Sequence, residues 1–283
     1  MNRSIIPNLV TTGNLVCGCF AIITALQSNF LAAALFIYAG ALCDFLDGFV
    51  ARILKAQSEI GKQLDSLSDL VTFGLAPAAI LFQLINIADF NSHISRDIHE
   101  EWEWLYPIPI SFLAFILVVF TAWRLAKFNV DTRQTKYFFG LPSPASGIFF
   151  ASLALLAHPF LLEVYPQFPF TVLSDGGVGV TPDMLDYEAN PSFLIGKQLI
   201  QTPLLLILTG VFSLLLVAPF PIFSLKFRPG GFKANKLIFF FLIFCLLIIL
   251  AAWLLKILFA ALPIIILLYP IISLFVKKWF VRD

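Results

Sequence analysis

The chain has 283 residues, of which 60% are hydrophobic and 12% are charged, and its formal net charge is +1. Soluble domains average about 25% charged residues, so the composition excludes an ordinary soluble protein and indicates an integral membrane protein. We expect no nucleic-acid partner. The four cysteines all lie in apolar segments and form no spaced cluster, which argues against a disulfide framework or a zinc site.

Eight apolar segments predict an all-α membrane protein of about eight transmembrane helices. Seven of them are uncharged and have the roughly 18 to 24 residues that cross about 30 Å of hydrocarbon. These seven are residues 9–26, 70–88, 105–123, 145–162, 202–225, 237–255 and 257–276. The eighth, 30–43, spans the membrane only if its helix continues through Asp44 and Asp47. The helix of segment 70–88 is likewise expected to begin earlier, near Lys62.

Lysine and arginine are distributed unequally between the two ends of these helices. With a cytoplasmic N-terminus, 15 of the 18 fall on the cytoplasmic side, and only Arg96, Lys197 and Lys256 fall on the other side. The positive-inside rule therefore predicts that both termini are cytoplasmic. The first apolar run follows a basic residue, as in a signal peptide, but lacks a small-x-small cleavage site, so we expect a retained first helix.

Four aspartates lie at the edges of the second and third apolar segments: Asp44, Asp47, Asp65 and Asp69. At about 100° per residue, the first two share a helix face with Gly48 and Ala51, with Arg52 at its margin. The other two share a face with Gly61, at i, i+4 and i+8. Because the connection between the two helices is short, we expect antiparallel neighbours whose cytoplasmic ends bring the four carboxylates together.

Such a cluster needs a compensating charge. One aspartate at the centre of a membrane helix costs about 2.5–3.5 kcal/mol, although a position near the interface lowers that figure. Two divalent cations would neutralise four carboxylates, and a set of oxygen ligands favours Mg²⁺ or Mn²⁺. Two such ions are typical of an in-line displacement at phosphorus. The small Gly48 and Ala51 would then let a ligand approach the helix backbone.

Each of these residues also has a simpler interpretation. A lone aspartate near a helix end is usually solvated at the interface, and Gly or Ala in a membrane helix is more often a packing contact. What favours a functional site is the combination of four acids on two facing stripes with small residues between them.

The spacing of these residues resembles the complete motif of the CDP-alcohol phosphotransferases. It reads Asp44-x-x-Asp47-Gly48-x-x-Ala51-Arg52, then eight residues, then Gly61-x-x-x-Asp65-x-x-x-Asp69. The resemblance implies that the four aspartates hold two divalent metal ions and that Asp69 is also the general base. It further implies that a CDP-linked substrate binds at Gly48, Ala51, Arg52 and Gly61. Members of this family are often homodimers, so we expect a homodimer.

Residues 123–147 resemble a segment of the phosphatidylserine synthases of this family, in which Phe-Asn is followed by F-x-G-L-P-x-P. The matching positions are Phe128, Asn129, Phe138, Gly140, Leu141, Pro142 and Pro144. The resemblance implies transfer of a phosphatidyl group from CDP-diacylglycerol to L-serine, at the cytoplasmic side of a bacterial-type inner membrane. Serine presents a carboxylate, an ammonium and a hydroxyl. Its predicted contacts are Arg124, Lys127, Asn129, Gly140 and Pro142.

The sequence shows no internal repeat and no long linker, so we predict one domain over residues 1–283. Its catalytic core is expected at about 5–160, with additional transmembrane helices at about 200–276. The acidic stretch near 174–193 matches no motif.

Several alternatives stay open. Within the family, phosphatidylglycerophosphate synthase would require a denser cationic pocket for glycerol 3-phosphate. A cation-coupled transporter also has intramembrane carboxylates, although no two related halves are visible here. A structural or assembly protein would leave the aspartate spacing unexplained. The basic residues Arg124, Lys127, Arg133 and Lys136 could instead set topology or hold anionic lipid headgroups. The Gly140–Pro144 run could be a rigid turn.

Overall fold

The computed structural model of the protein describes residues 5–56, 58–94, 110–130, 138–164, 191–222, 235–255 and 257–280. Its α-helices are α1 (Ile5–Leu26), α2 (Phe30–Ile53), α3 (Glu59–Asp69), α4 (Ala76–Ile94), α5 (Ile116–Val130), α6 (Ser143–Val164), α7 (Pro191–Leu199), α8 (Thr202–Val217), α9 (Lys236–Leu254) and α10 (Ala261–Phe280). A π-helical segment, Leu70–Leu75, joins α3 to α4, and 3₁₀ segments precede α5 and α10. Two-residue strands, β1 (Phe138–Phe139) and β2 (Pro221–Ile222), pair antiparallel.

The described residues contain five helical segments that are long and apolar enough to cross a membrane: Ile5–Leu26, Phe30–Ile53, Glu59–Ala88, Ile110–Val130 and Lys236–Leu254. Three shorter apolar helices occupy the remaining predicted segments: Ser143–His158, Thr202–Val217 and Leu258–Leu274. Apart from the two-residue strands β1 and β2, the described elements are helical, in agreement with the predicted helical integral membrane protein. The count of eight spans and the cytoplasmic position of both termini stay predictions.

Two expectations about helix extent are confirmed, and one is wrong. The second apolar helix continues past both of its aspartates to Ile53, and the third begins at Glu59, before Lys62. The predicted segment 202–225, by contrast, leaves its helix at Val217. Ala218 is extended there, with φ −63° and ψ 138°, because the following proline disfavours the helical conformation in the residue before it.

Local signals explain how the first three helices are joined. The side chain of Asn29 caps α2 by accepting a hydrogen bond from the backbone N–H of Ala32 at 3.1 Å. Ser58 caps α3 in the same way, accepting from the N–H of Gly61 at 3.0 Å. Capping side chains of this kind satisfy backbone donors that have no partner inside the helix. The short connection before Ser58 keeps the two aspartate-bearing helices adjacent along the chain.

Helix α1 packs against α2, α3, the π-helical segment and α4. Thr72 of the π segment fits between two glycines at the centre of this packing. A Cβ added to Gly18 would lie 2.5 Å from the Thr72 hydroxyl oxygen, and one added to Gly40 would lie 2.5 Å from its Cγ2. Small residues let membrane helices approach this closely. The contact fixes α1 and α2 against the helix that carries the second pair of aspartates.

Helix α6 closes the bundle on another side. It packs against α2, and the Tyr38 and Ser152 hydroxyls form a 2.8 Å hydrogen bond between the two helices. Helix α7 was not predicted from the sequence. It packs closely on α6, because a Cβ at Gly196 would lie 2.7 Å from Cβ of Phe160.

Candidate metal centre

Three of the four aspartates form a compact group of carboxylates. One oxygen from each of Asp44, Asp47 and Asp65 lies within 4.8 Å of the other two. The side chains come from α2 and α3, as the shared helix faces predicted. Asp47 is 7% exposed, and its Oδ2 has no hydrogen-bond partner among the described residues.

The group fits a hard divalent cation. Two unit negative charges 4.8 Å apart repel by about 3 kcal/mol at an effective dielectric constant of about 20. The carboxylates of Asp44 and Asp65 are in electrostatic contact with each other. A cation would replace that contact with attraction to every carboxylate. Oxygen donors are the ligands that Mg²⁺ and Mn²⁺ prefer, and the orphaned Asp47 oxygen is a free ligand atom.

Asp69 occupies a different position from the other three. It is 8% exposed, and it interacts electrostatically with Asp44, Asp65 and Arg124. Its Oδ1 accepts a hydrogen bond from the Asn14 side-chain amide at 3.4 Å. One carboxylate thus interacts both with the acidic group and with a cationic side chain.

Asn14 is a candidate site residue that sequence reasoning missed, because its side chain contacts Asp69. It is fully buried on α1, and its backbone carbonyl accepts a 2.9 Å hydrogen bond from the Thr72 hydroxyl. Its amide oxygen has no partner among the described residues. An amide side chain inside an otherwise apolar membrane helix is costly unless it has a role, and that signal was present in the sequence.

The π-helical segment begins directly after Asp69. A π turn inserts an extra residue into the helix and is frequently found at functional sites. Here the segment presents Thr72 to α1, while Ser68, just before it, donates a 3.2 Å hydrogen bond to the carbonyl of Thr11. Two side-chain bonds therefore fasten the helix to α1 on both sides of Asp69.

The residues predicted to bind the CDP-linked substrate have two different environments. The space next to Gly48 is open: the nearest atom to an added Cβ, outside its own backbone, is Nη1 of Arg52 at 3.9 Å. Arg52 is exposed and Ala51 is half-buried. Gly61, in contrast, packs against α1, because an added Cβ would lie 2.9 Å from Oδ1 of Asn8. Gly48 thus offers room for a ligand, whereas Gly61 permits a helix contact.

Among the residues predicted to contact serine, Arg124 interacts electrostatically with Asp69. It is half-buried on α5, and its Nη1 donates a 3.1 Å hydrogen bond to the hydroxyl of Ser143. Its Nε has no partner among the described residues. Ser143 itself is fully buried and was not predicted as a site residue. The buried Nε of Arg124 is thus an unmet hydrogen-bond donor, which a carboxylate would satisfy.

Two further residues predicted to contact serine, Lys127 and Asn129, already make contacts within the protein. Lys127 is exposed, with its ammonium 5.6 Å from the ring centre of Trp123. The Asn129 amide donates to the Ser66 hydroxyl at 2.9 Å, and the Asn129 carbonyl accepts from the Lys62 ammonium at 3.1 Å. Asn129 therefore joins α5 to the helix of the second aspartate pair.

The last two predicted acceptor residues lie in the turn that precedes α6. Gly140 is buried, and Pro142 is half-buried. Arg133 and Lys136 lie outside the described residues, as does most of the acidic stretch near 174–193. The assignment of serine contacts to any of these residues stays a prediction.

The chain belongs to the CDP-alcohol phosphatidyltransferase family, whose profile matches residues 4–174, more than half of the sequence. This confirms the resemblance drawn from the aspartate motif. The family is generally dependent on divalent metals, and the carboxylate group is a suitable site for them.

Among curated proteins, the chain is similar to several named CDP-diacylglycerol–serine O-phosphatidyltransferase. The protein from Bacillus subtilis is 34% identical over 161 residues, which cover 56% of this chain and 80% of that protein. The one from Mycobacterium leprae is 34% identical over 168 residues, covering 56% and 50%. The one from Saccharomyces cerevisiae is 34% identical over 152 residues, covering 50% and 48%. The chain thus spans about half the length of the last two relatives.

Replacing Asn14 tests its hydrogen bond to Asp69, the predicted general base. In Asn14→Leu the carboxylate of Asp69 loses a donor, and a bond to a charged group contributes about 1.5–3 kcal/mol. Because 3.4 Å is a long hydrogen bond, we expect the lower end, roughly a ten-fold fall in kcat for CMP release from a CDP-linked donor. Val16→Ala, at an exposed position of the same helix, is the control. An unchanged kcat in folded Asn14→Leu would remove Asn14 from the site.

The open space at Gly48 predicts a change in donor binding alone. Gly48→Leu should raise the KM for the CDP-linked donor by roughly ten-fold or more, because the side chain would occupy ligand space. The thermal midpoint should change little, since the nearest atom is 3.9 Å away. Gly210→Leu is the matched control, because an added Cβ there meets nothing within 4 Å. Normal donor kinetics with a lowered midpoint would show that Gly48 is a packing residue.

Proposed function

We propose that the protein transfers the phosphatidyl group of CDP-diacylglycerol to the hydroxyl of L-serine, giving phosphatidylserine and CMP. The observation that carries the proposal is the carboxylate group of Asp44, Asp47 and Asp65 beside Asp69, in a member of this family. The similar proteins from Bacillus subtilis and Mycobacterium leprae are named for this reaction.

The metal ligands would be Asp44, Asp47, Asp65 and Asp69. Two divalent cations, Mg²⁺ or Mn²⁺, when bound would neutralise these carboxylates and stabilise the negative charge that develops on the phosphates. The chain supplies the ligands on two helices that α1 holds together, so their spacing does not depend on a flexible loop. Sites on rigid elements keep the geometry that catalysis requires.

Asp69 would act as the general base. Its carboxylate accepts the proton of the serine hydroxyl while the serine oxygen attacks the phosphorus bonded to diacylglycerol. The bond between that phosphorus and the CMP oxygen then breaks. Asn14 holds Oδ1 of Asp69, which leaves Oδ2 to meet the hydroxyl.

The donor would lie over the open face of α2 at Gly48 and Ala51, with Arg52 and Gly61 at its borders. Its acyl chains remain in the bilayer and its cytidine faces the cytoplasm. The open space next to Gly48 supports this placement. So does the exposure of Arg52, which leaves its guanidinium accessible to a phosphate.

The serine carboxylate would bind Arg124. The side chain is half-buried, its Nη1 is held by Ser143, its Nε is buried without a partner among the described residues, and it interacts electrostatically with Asp69. A carboxylate at Arg124 would direct the serine hydroxyl toward that base. Lys127, Asn129, Gly140 and Pro142 are the remaining proposed contacts of the acceptor.

The enzyme would work as a single polytopic domain of about eight spans in a bacterial-type cytoplasmic membrane. Both termini and the active site would face the cytoplasm, and the functional unit would be a homodimer. The family-matched residues 4–174 contain every residue to which we assign chemistry.

An acceptor panel tests the function directly. The purified protein in detergent would receive CDP-diacylglycerol, Mg²⁺ or Mn²⁺, and one alcohol at a time, with CMP release as the readout. We expect release with L-serine and little with glycerol 3-phosphate or inositol. Preference for glycerol 3-phosphate would make the protein a phosphatidylglycerophosphate synthase. Absence of release with every alcohol would favour a non-enzymatic role, such as a cation-coupled transporter.

Asp69→Asn tests the base. The change preserves shape and removes the proton acceptor, so kcat should fall by roughly 10²–10⁴, the contribution typical of general-base catalysis. Binding of CDP-diacylglycerol should weaken far less than turnover. Retention of more than about a tenth of wild-type CMP release would reject Asp69 as the base.

Arg124→Ala tests the acceptor site. Loss of one charge-assisted contact of about 1.5–3 kcal/mol corresponds to roughly a ten- to 150-fold rise in the KM for serine. The KM for CDP-diacylglycerol should change little. Lys236→Ala, which removes an exposed basic residue at the start of α9, controls for a general effect of cytoplasmic charge on insertion. If Arg124→Ala instead weakens only the donor, Arg124 belongs to the phosphate site.

A further inference from the structure

Residues 202–222 lie beyond the family-matched part of the chain, yet they contact the elements that carry the acceptor site. Helix α8 packs against α5, the helix of Arg124, and also against α6, the helix that begins at Ser143. The segment that follows α8 pairs with the chain just before α6. Neither the aspartate motif nor the segment 123–147 reaches this region, so the resemblance to the family assigns it no role.

Phe212 anchors α8 to α6. It is 1% exposed, and its ring centre lies 4.1 Å from that of Phe149 and 5.1 Å from that of Phe150. Both partners are themselves buried, at the seventh and eighth residues of α6. Removing the Phe212 ring would leave a cavity against these two rings, about two turns into that helix.

Backbone hydrogen bonds then hold the turn before α6. The N–H of Leu141 donates to the carbonyl of Leu215 at 2.9 Å, and the N–H of Gly140 donates to the carbonyl of Phe220 at 3.0 Å. Gly140 has φ +75°, and an added Cβ would lie 2.5 Å from the carbonyl oxygen of Leu216. The turn therefore fits closely against the end of α8, and only glycine allows that approach.

The turn leads directly to the side chain that holds Arg124. Ser143 follows Leu141 by two residues, both are fully buried, and the Ser143 hydroxyl accepts from Nη1 of Arg124 at 3.1 Å. A continuous set of contacts thus runs from Phe212 and Leu215 through the turn to the guanidinium. Arginine has many rotamers, so the hydroxyl that fixes it determines where the guanidinium lies.

We propose that residues 202–222 are a positioning element for the acceptor site, which sets the place of Arg124 through the Gly140–Ser143 turn. The inference rests on the proposed function, since it assigns Arg124 to the serine carboxylate. The donor face at Gly48 and Ala51 lies on α2, and α8 is not among the helices that pack closely against α2 in the described part of the chain. The hydrogen bond between α2 and α6 is made by Tyr38, ten residues before Gly48. A disturbance of α8 should therefore affect the acceptor more than the donor.

Substitutions at Phe212 test the inference. In Phe212→Ala the start of α6 can shift toward the cavity, and small displacements of a binding group can cost up to about 100-fold. We expect the KM for serine to rise roughly ten-fold, with the KM for CDP-diacylglycerol changed by less than about two-fold. Phe212→Leu, which fills part of the space, should give a smaller rise. Leu214→Ala, at a 63% exposed position of the same helix, should leave both constants unchanged.

The outcomes separate this inference from the proposed function. A purely structural role predicts a lower thermal midpoint with both KM values unchanged, or a parallel rise in both, and either result overturns the inference. If Phe212→Ala does not fold, the same split in Phe212→Leu decides. If the serine KM rises in Arg124→Ala but is unchanged in the Phe212 variants, the inference is rejected while the proposed function stands. If the wild-type protein releases no CMP with serine, the proposed function fails first.

Discussion

Mutual repulsion among carboxylates is the constraint on which the structure depends. Asp44, Asp47 and Asp65 bring oxygens within 4.8 Å of one another inside a helical bundle, and Asp69 lies beside them. Such an arrangement is unfavourable in the protein alone and becomes favourable with divalent cations. The bundle must therefore resist the tendency of these helices to separate. We infer that the packing that holds these helices together also keeps the carboxylates at the spacing that their chemistry requires.

The resistance comes from close packing around Thr72. Two glycines, Gly18 on α1 and Gly40 on α2, leave room for its side chain, and its hydroxyl bonds to the carbonyl of Asn14. The Asn14 side chain in turn contacts Asp69. A single small region thus joins three helices and orients the proposed base. The four aspartates lie on helices and need no loop to hold them.

The sequence was most informative where a pattern repeats with the helical period. It predicted that the aspartates share helix faces, that α2 continues past Asp47 and that the third helix begins near Lys62, because apolar spacing and charge position determine those features. It could not predict the π segment, since no local residue pattern specifies the extra residue in that turn. Ser143 was missed because its importance comes from Arg124, which is 19 residues away along the chain.

Residues that look alike in sequence also diverge in structure. Gly48 and Gly61 both belong to the aspartate motif, but one faces open space and the other packs against Asn8. Asn129 was predicted to contact serine, and its amide donates to Ser66 on the aspartate helix. Tertiary neighbours decide such cases, and helical periodicity contains no information about them. The same limit applies to α8. Its apolar sequence predicts a membrane span, but it does not predict the contact of α8 with the Gly140–Ser143 turn.

The central claim is that the four aspartates bind two divalent cations for phosphatidyl transfer to serine. The most direct measurement is a Mn²⁺ titration of the purified protein, followed by electron paramagnetic resonance and compared with Asp44→Asn. We expect two Mn²⁺ per chain with a spin-coupled spectrum, loss of the coupling in Asp44→Asn, and serine-dependent CMP release that rises with occupancy. Binding of no Mn²⁺ at the aspartates while serine-dependent CMP release persists without added metal would contradict it.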